Sequence, residues 1–250
     1  MRSWVAKALV ALGLTAQPAT AECVVLLHGL ARSDTSLAVL EGVLRTQGYH
    51  TVNPGYPSRQ LPIEELVAQT LGPAVAECGD RKVHFVTHSM GGILVRAYLE
   101  KTRPANLGRV VMLAPPNQGS ELVDTFGDLV PFEWLNGPAG RQLGTADGSV
   151  PSQLGGVDYP VGIIAGNVPL GALGAVLIDG PHDGKVSVES TKLAGMRSHI
   201  TLPVSHTFMM NNPIVMAYTL RFLREEKFGE KIDLAAAVQM IGDPLINSQN

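Results

Sequence analysis

The sequence predicts an α/β fold, in which helices cover both faces of a mostly parallel central sheet. Short apolar runs typical of buried strands occur at residues 24–27, 82–87 and 109–113. Segments whose apolar residues have helical spacing lie between these runs. Because strands alternate with helices, we expect parallel βαβ units, with ligands bound beyond the carboxyl ends of the strands.

The other predicted elements follow in the same alternation, without a repeat or a linker that would split the chain. They are a helix at 35–46, a weak strand at 49–53, helices at 63–76 and 90–100, strands at 161–165 and 199–203, and a helix at 213–224. The tail after Phe228 has room for one more short helix. Residues 121–156 are rich in glycine and proline and show no strand pattern, so we expect a partly helical insertion there.

Length and composition favour one domain that binds small molecules. The chain has 250 residues, of which 45% are hydrophobic, and this is enough for one substantial core. The formal net charge is −3 and no basic patch is present, which argues against nucleic acid as a partner. Neither H-E-x-x-H nor C-x-x-C occurs, so we predict no metal site and no cofactor.

The first residues have the features of a secretory signal peptide. Arg2 and Lys7 precede an apolar run at 8–16, and Ala19-Thr20-Ala21 fits a cleavage site. The run is too short to span a membrane as a helix, although an uncleaved anchor is the alternative. We therefore predict a signal peptide at 1–21, a mature domain at 22–250, and a secreted or periplasmic location.

Cys23 and Cys78 are the only cysteines, and each stands just before a predicted strand. If those strands are neighbours, the two sulfurs lie at the same end of the sheet. In an oxidising compartment such a pair forms a disulfide, which here would close a loop of about 56 residues. Two free buried thiols are the alternative.

The segment VHFVTHSMGG at residues 83–92 predicts a nucleophilic serine. A strand leads into Ser89 and a helix leaves at once, so the serine projects from a sharp turn. Gly91 and Gly92 allow strand and helix to approach closely, and the amide of Met90 at the helix start points at developing negative charge. The alternative interpretation is a tight strand–helix turn with a capping serine.

This segment resembles the nucleophile elbow of the α/β-hydrolase family, particularly its bacterial lipases and esterases. One residue departs from the G-x-S-x-G pattern, since Thr87 replaces the first glycine and should open the turn slightly. The resemblance also implies an oxyanion hole. His28-Gly29 ends the first strand as in that family, so the amides of Leu30 and Met90 would be the two donors.

The resemblance further implies the chain order serine, acid, histidine. His206 follows the carboxyl end of the last predicted strand, where a loop can bring it over Ser89, whereas His199 would lie at the amino end. For the acid, Asp183-Gly184-Lys185-Val186 looks like the D-G-x-V turn of related hydrolases, and Asp179 is the alternative. His182 is expected to be a solvated loop residue.

By the same resemblance, the turn at 115–120 should line the pocket and residues 121–156 should form a cap over Ser89. Aromatic residues of the cap are candidates for substrate binding, unless they only pack the cap onto the body: Phe126, Phe132 and Trp134. The predicted substrate is a small-molecule or lipid ester, cleaved through an acyl-enzyme. Acyl transfer, thioester cleavage and a non-catalytic binding protein are the alternatives.

Overall fold

The fold, seen in a computed structural model that describes residues 21–126, 130–170 and 177–243, contains one parallel sheet. Its strands lie in the order β2-β1-β3-β4-β5-β6, and every neighbouring pair is parallel. The strands are β1 Cys23–Leu27, β2 His50–Val52, β3 Val83–His88, β4 Leu107–Leu113, β5 Val161–Gly166 and β6 Ser198–Leu202. The predicted α/β class is thus confirmed.

Helices connect these strands, as the alternating pattern predicts. They are α1 Ala38–Thr46, α2 Ile63–Glu77, α3 Met90–Lys101, α4 Glu121–Phe126, α5 Val130–Arg141, α6 Val150–Gln153, α7 Pro213–Glu225 and α8 Leu234–Gly242. Short 3-10 helices occupy Asp34–Leu37 and Met209–Asn211. Helix α5 bends at Gly137, whose φ of 65° favours glycine. None of the helices within the described ranges is both long and apolar enough to cross a membrane.

Strands β1 and β5 are buried on both faces, which explains why each has a continuous apolar sequence. Val25 and Leu27 of β1 pack into one core layer with α2 and α3, whereas Val24 and Leu26 pack into the other layer with α1, α7 and α8. Successive side chains of a strand point to opposite faces, so a strand covered on both sides needs apolar residues at every position.

A disulfide joins Cys23 to Cys78, as predicted, with 5.6 Å between their Cα atoms. Cys23 is the first residue of β1, and Cys78 follows the end of α2 in the short connection that leads to β3. Because β1 and β3 pair side by side, with Cys23 opposite Val83, the two cysteines meet at the amino end of the sheet. Closing a loop of this length stabilises the fold by on the order of 3–4 kcal/mol in the chain-entropy model.

Residues 121–156 contain three helices and no strand within their described part. The predicted signal peptide at 1–21 lies outside the described residues except for Ala21. The side chains at position 126 and at 130–135 also lie outside them.

Candidate active site

Ser89 stands at the sharp turn between β3 and α3. Its backbone has φ 53° and ψ −124°, a conformation that is strained for a residue with a side chain, and its amide donates to the carbonyl of Leu113 at 2.8 Å. Glycine is required just after it: a Cβ on Gly91 would lie 2.5 Å from the carbonyl oxygen of Leu27. The elbow therefore forms with Thr87 in the position of the first glycine.

A hydrogen-bonded chain of three side chains runs from Ser89 to a buried carboxylate. His206 Nε2 lies 3.0 Å from Ser89 Oγ, and His206 Nδ1 lies 2.7 Å from Asp183 Oδ2. An ionised carboxylate only accepts hydrogen bonds, so Nδ1–H donates to Asp183 and Nε2 is left to accept the Ser89 hydroxyl proton. His206 is 4% exposed and Asp183 is 1% exposed, so water hardly competes for these contacts.

The Asp183 loop fixes the carboxylate on the side away from His206. Its second oxygen, Oδ1, accepts the amides of Lys185 and Val186, both at 2.9 Å. The Asp183 backbone carbonyl accepts the amide of His206 at 3.1 Å, which ties the two loops together. These bonds hold the acid and the histidine in one orientation.

The alternative residues weighed from the sequence do not contact Ser89. His199 bonds the hydroxyl of Thr191 at 2.8 Å near the amino end of β6, and Asp179 is exposed. His182 is 7% exposed and its Nδ1 accepts the amide of Gly184 at 3.1 Å. The prediction that His182 is solvated was therefore wrong, because its ring is buried and bonded to the backbone of the turn after Asp183.

The loop after β1 brings Leu30 into the lining of the same pocket as Ser89. Neither the amide of Leu30 nor that of Met90 donates a hydrogen bond to any residue in the described part of the chain. Both amides are therefore free of hydrogen bonds to the described residues, and Met90 itself is fully buried. Gly29 has no room for a side chain, since a Cβ there would lie 2.9 Å from His88 Nδ1.

Tyr56 braces this loop, a role that the sequence did not reveal. Its ring stacks on His28 with 3.8 Å between centroids, and its hydroxyl donates to the His28 carbonyl. His28 Nδ1–H donates to the carbonyl of Gly29 at 2.9 Å. Ser58, two residues after Tyr56, accepts the amide of Ala31 at 3.1 Å. Burial raises the pKa of Tyr56, so the hydroxyl stays a donor.

His88 is a second residue that the sequence did not mark. Its Nε2–H donates to the backbone carbonyl of His206 at 3.0 Å, with 4.8 Å between the two ring centroids. Burial lowers the pKa of His88 well below its ordinary value, and the neighbouring His206 adds to this effect. The ring is therefore a neutral donor that holds His206 through its main chain.

A pocket of about 270 Å³ opens in front of Ser89 and His206. Leu122, Val123 and Leu143, from the segment at 121–156, are among the apolar residues that line it. The predicted substrate residues Phe126, Phe132 and Trp134 have side chains outside the described residues, so their roles stay predictions. Among the described residues, no cluster of three or more histidine, cysteine, aspartate or glutamate side chains could hold a metal ion.

Comparison with known structures identifies several of related architecture. The mature Bacillus licheniformis lipase BlEst2 is 20% identical, with a TM-score of 0.67 over 83% of this chain and 93% of that one. The metagenomic carboxyl esterase MGS0156 is 19% identical (TM-score 0.59; 77% and 68% covered). The type II thioesterase BorB from the borrelidin biosynthetic cluster is 18% identical (TM-score 0.51; 84% and 94% covered).

Sequence comparison assigns the family directly. No curated protein matches the sequence significantly. The profile of the alpha/beta hydrolase family, in contrast, matches residues 24–213, which is more than half of the chain. That span includes Ser89, Asp183 and His206. The chain belongs to the alpha/beta hydrolase family.

Proposed function

We propose that this protein is a carboxylic ester hydrolase, of the esterase or lipase type, with Ser89 as its nucleophile. The observation that carries the proposal is the hydrogen-bonded chain from Ser89 through His206 to Asp183, which ends in an open pocket. A serine hydroxyl is a weak nucleophile unless a base takes its proton, and a base needs a third group to orient it. His206 and Asp183 fit these two roles.

The proposed reaction has two steps. Ser89 Oγ attacks the ester carbonyl while His206 Nε2 takes its proton, and the amides of Leu30 and Met90 stabilise the oxyanion. His206 then returns the proton to the leaving alcohol, so that the acyl-enzyme remains. Water attacks the acyl-enzyme by the same route, the acid is released, and the Ser89 hydroxyl is restored.

The lining of the pocket supports a substrate whose acyl group is lipophilic. Leu30, Leu122, Val123, Leu143 and Val186 provide an apolar lining, and apolar walls with few polar groups are typical of small-molecule sites. In this proposal residues 121–156 act as the cap, and its aromatic residues Phe126, Phe132 and Trp134 extend the acyl site. The substrate is a small-molecule or lipid ester.

Export is part of the proposal. The disulfide between Cys23 and Cys78 fits an oxidising compartment, and the features of residues 1–21 fit a cleavable signal peptide. Both support a secreted or periplasmic enzyme.

The test is to label the mature protein with a fluorophosphonate probe and to measure hydrolysis of p-nitrophenyl esters of increasing chain length. We expect labelling at Ser89 that Ser89→Ala abolishes, and a fall in kcat on the order of 10⁴-fold or more for Ser89→Ala, His206→Ala and Asp183→Asn. The matched control is Asp179→Asn, because Asp179 is an exposed carboxylate on the same loop.

Two results would contradict the proposal. If the folded protein is neither labelled nor active on any ester, a binding protein of the same fold becomes the better interpretation. If Asp183→Asn retains full activity, Asp183 is not part of the site. A strong preference for thioesters, or for an alcohol acceptor over water, would instead change the reaction class while keeping Ser89.

A further inference from the structure

Two cationic side chains lie in the pocket that holds Ser89. Arg32 follows the loop after β1, and Lys185 lies two residues after Asp183. Both line the pocket together with Ser89 and His206, and the described residues that line it include no carboxylate. The formal net charge of the chain is −3, so this concentration of positive charge runs against the overall balance.

Neither cation forms a close ion pair with a carboxylate among the described residues. Arg32 Nη2 donates only to the backbone carbonyl of Thr207, at 3.4 Å, and Lys185 Nζ makes no hydrogen bond there. Arg103 and Arg109, in contrast, form ion pairs with carboxylates. Lys185 is exposed at the edge of the pocket. Desolvation of its ammonium group lowers its pKa and the charge of Arg32 lowers it further, whereas the carboxylate of Asp183 opposes both effects. Two cations that repel each other beside a reactive serine would be stabilised by an anion between them.

The position of the cations indicates which part of an ester would carry that anion. Arg32 contacts the residue that follows His206, and Lys185 belongs to the loop that holds the His206 ring through Asp183. Both therefore lie on the His206 side of the site. In ester cleavage the histidine gives its proton to the leaving alcohol, so the alcohol also occupies that side.

We infer that the substrate is an ester whose alcohol part carries an anionic group, a phosphate or a carboxylate, and that Arg32 and Lys185 bind this group. The inference rests on the proposed ester hydrolysis and names its substrate class. The guanidinium of Arg32 can bond two oxygens of such a group, and Lys185 adds a point charge. Cleavage releases the anionic alcohol with the proton from His206, and water completes the hydrolysis.

The experiment compares two soluble substrates that differ only in the anionic group, 1-hexanoyl-glycerol and 1-hexanoyl-glycerol 3-phosphate. We expect kcat/KM to be at least about tenfold higher for the phosphate, as charge-assisted hydrogen bonds imply. The ratio of the two values should fall towards one in Arg32→Gln/Lys185→Gln and with rising salt. The control, Lys101→Gln/Arg197→Gln, removes the same charge from exposed positions that do not line this pocket, and should keep the ratio.

A second measurement does not depend on variants. Glycerol 3-phosphate should inhibit hydrolysis of p-nitrophenyl butyrate at a concentration at least about tenfold lower than glycerol does. Repeating the comparison with 1-oleoyl-glycerol 3-phosphate in mixed micelles distinguishes a lipid source of the phosphate from a soluble one. Equal kcat/KM for both hexanoyl esters in an active enzyme would overturn this inference alone, whereas an inactive, unlabelled protein would overturn the proposed hydrolysis as well.

Discussion

The position of His206 depends on a few contacts from residues far away in the chain. Asp183 holds its ring at 2.7 Å and His88 holds its backbone carbonyl at 3.0 Å. The last strand brings His206 only to the carboxyl end of the sheet. The contacts with Asp183 and His88 then fix the direction of its ring. Catalysis by a base requires that orientation before it requires a suitable pKa.

Tyr56→Phe tests whether the loop after β1 must be braced. The change removes the hydroxyl that donates to the His28 carbonyl but keeps the ring stacked on His28. We expect kcat for p-nitrophenyl butyrate to fall about tenfold with little change in KM, because a misplaced oxyanion donor acts on the transition state and one donor is typically worth about 10²–10³-fold.

Tyr98→Phe is the matched control for that measurement. Tyr98 is also largely buried, but its hydroxyl makes no hydrogen bond to any residue in the described part of the chain. Its variant should keep kcat. If Tyr56→Phe shows a raised KM and an unchanged kcat, the loop positions the substrate and not the oxyanion.

The sequence pointed to the three side chains that the structure joins in one hydrogen-bonded chain, but not to those that support them. Ser89, Asp183 and His206 each follow a recognisable strand or turn pattern, and parallel strands bring such positions to one edge. Tyr56 and His88 look like ordinary residues, because their contacts reach across 28 and 118 positions of the chain. No local pattern encodes a contact of that range.

At the scale of elements, the turn from β3 to α3 leaves little room for a larger residue. Gly91 lies where the new helix crosses the end of β1, and a Cβ there would meet a backbone carbonyl at 2.5 Å. We expect Gly91→Ala to lower the free energy of unfolding by about 1–3 kcal/mol, the usual effect of overpacking, and to lower kcat because Ser89 shifts. Urea unfolding monitored by circular dichroism measures the first effect.

Gly42→Ala is the opposite control, since Gly42 lies in α1 with nothing within 4 Å of an added Cβ. Alanine there should raise the free energy of unfolding by about 0.5–1 kcal/mol, because glycine is a poor helix former. Equal effects of the two substitutions would mean that the crossing at Gly91 has more space than the structure contains.

Element type was easier to predict than element length. Strand β2 covers only His50–Val52 instead of the expected 49–53, because it is an edge strand that pairs with β1 alone. Strand β4 begins at Leu107, two residues before the predicted start, where Gly108 interrupts the apolar run. A Cβ on Gly108 would lie 2.6 Å from the His84 ring. Close packing against His84, and not strand propensity, therefore explains why this position is a glycine.

Across the whole molecule, buried histidines couple stability to pH. Desolvation lowers the pKa of His28, His84 and His88, so the folded chain keeps these rings neutral. In the unfolded chain they bind protons below a pKa of about 6.5. Stability from these groups is thus complete above about pH 6.5 and is lost as the pH falls towards their folded pKa values.

His88→Gln isolates one of these groups, because the glutamine amide keeps a donor near the His206 carbonyl but cannot titrate. For a ring that stays neutral when folded, the free energy of unfolding falls by about 1.4 kcal/mol between pH 7.5 and pH 5.5. Urea unfolding at the two pH values should therefore show a smaller pH-dependent loss of stability in His88→Gln than in the wild type, by about that amount.

The control is His50→Gln, since His50 is exposed on β2, and its loss of stability should equal that of the wild type. An identical loss in all three proteins would mean that His88 takes up its proton in the folded chain, and the neutral donor assigned to it beside His206 would then be wrong.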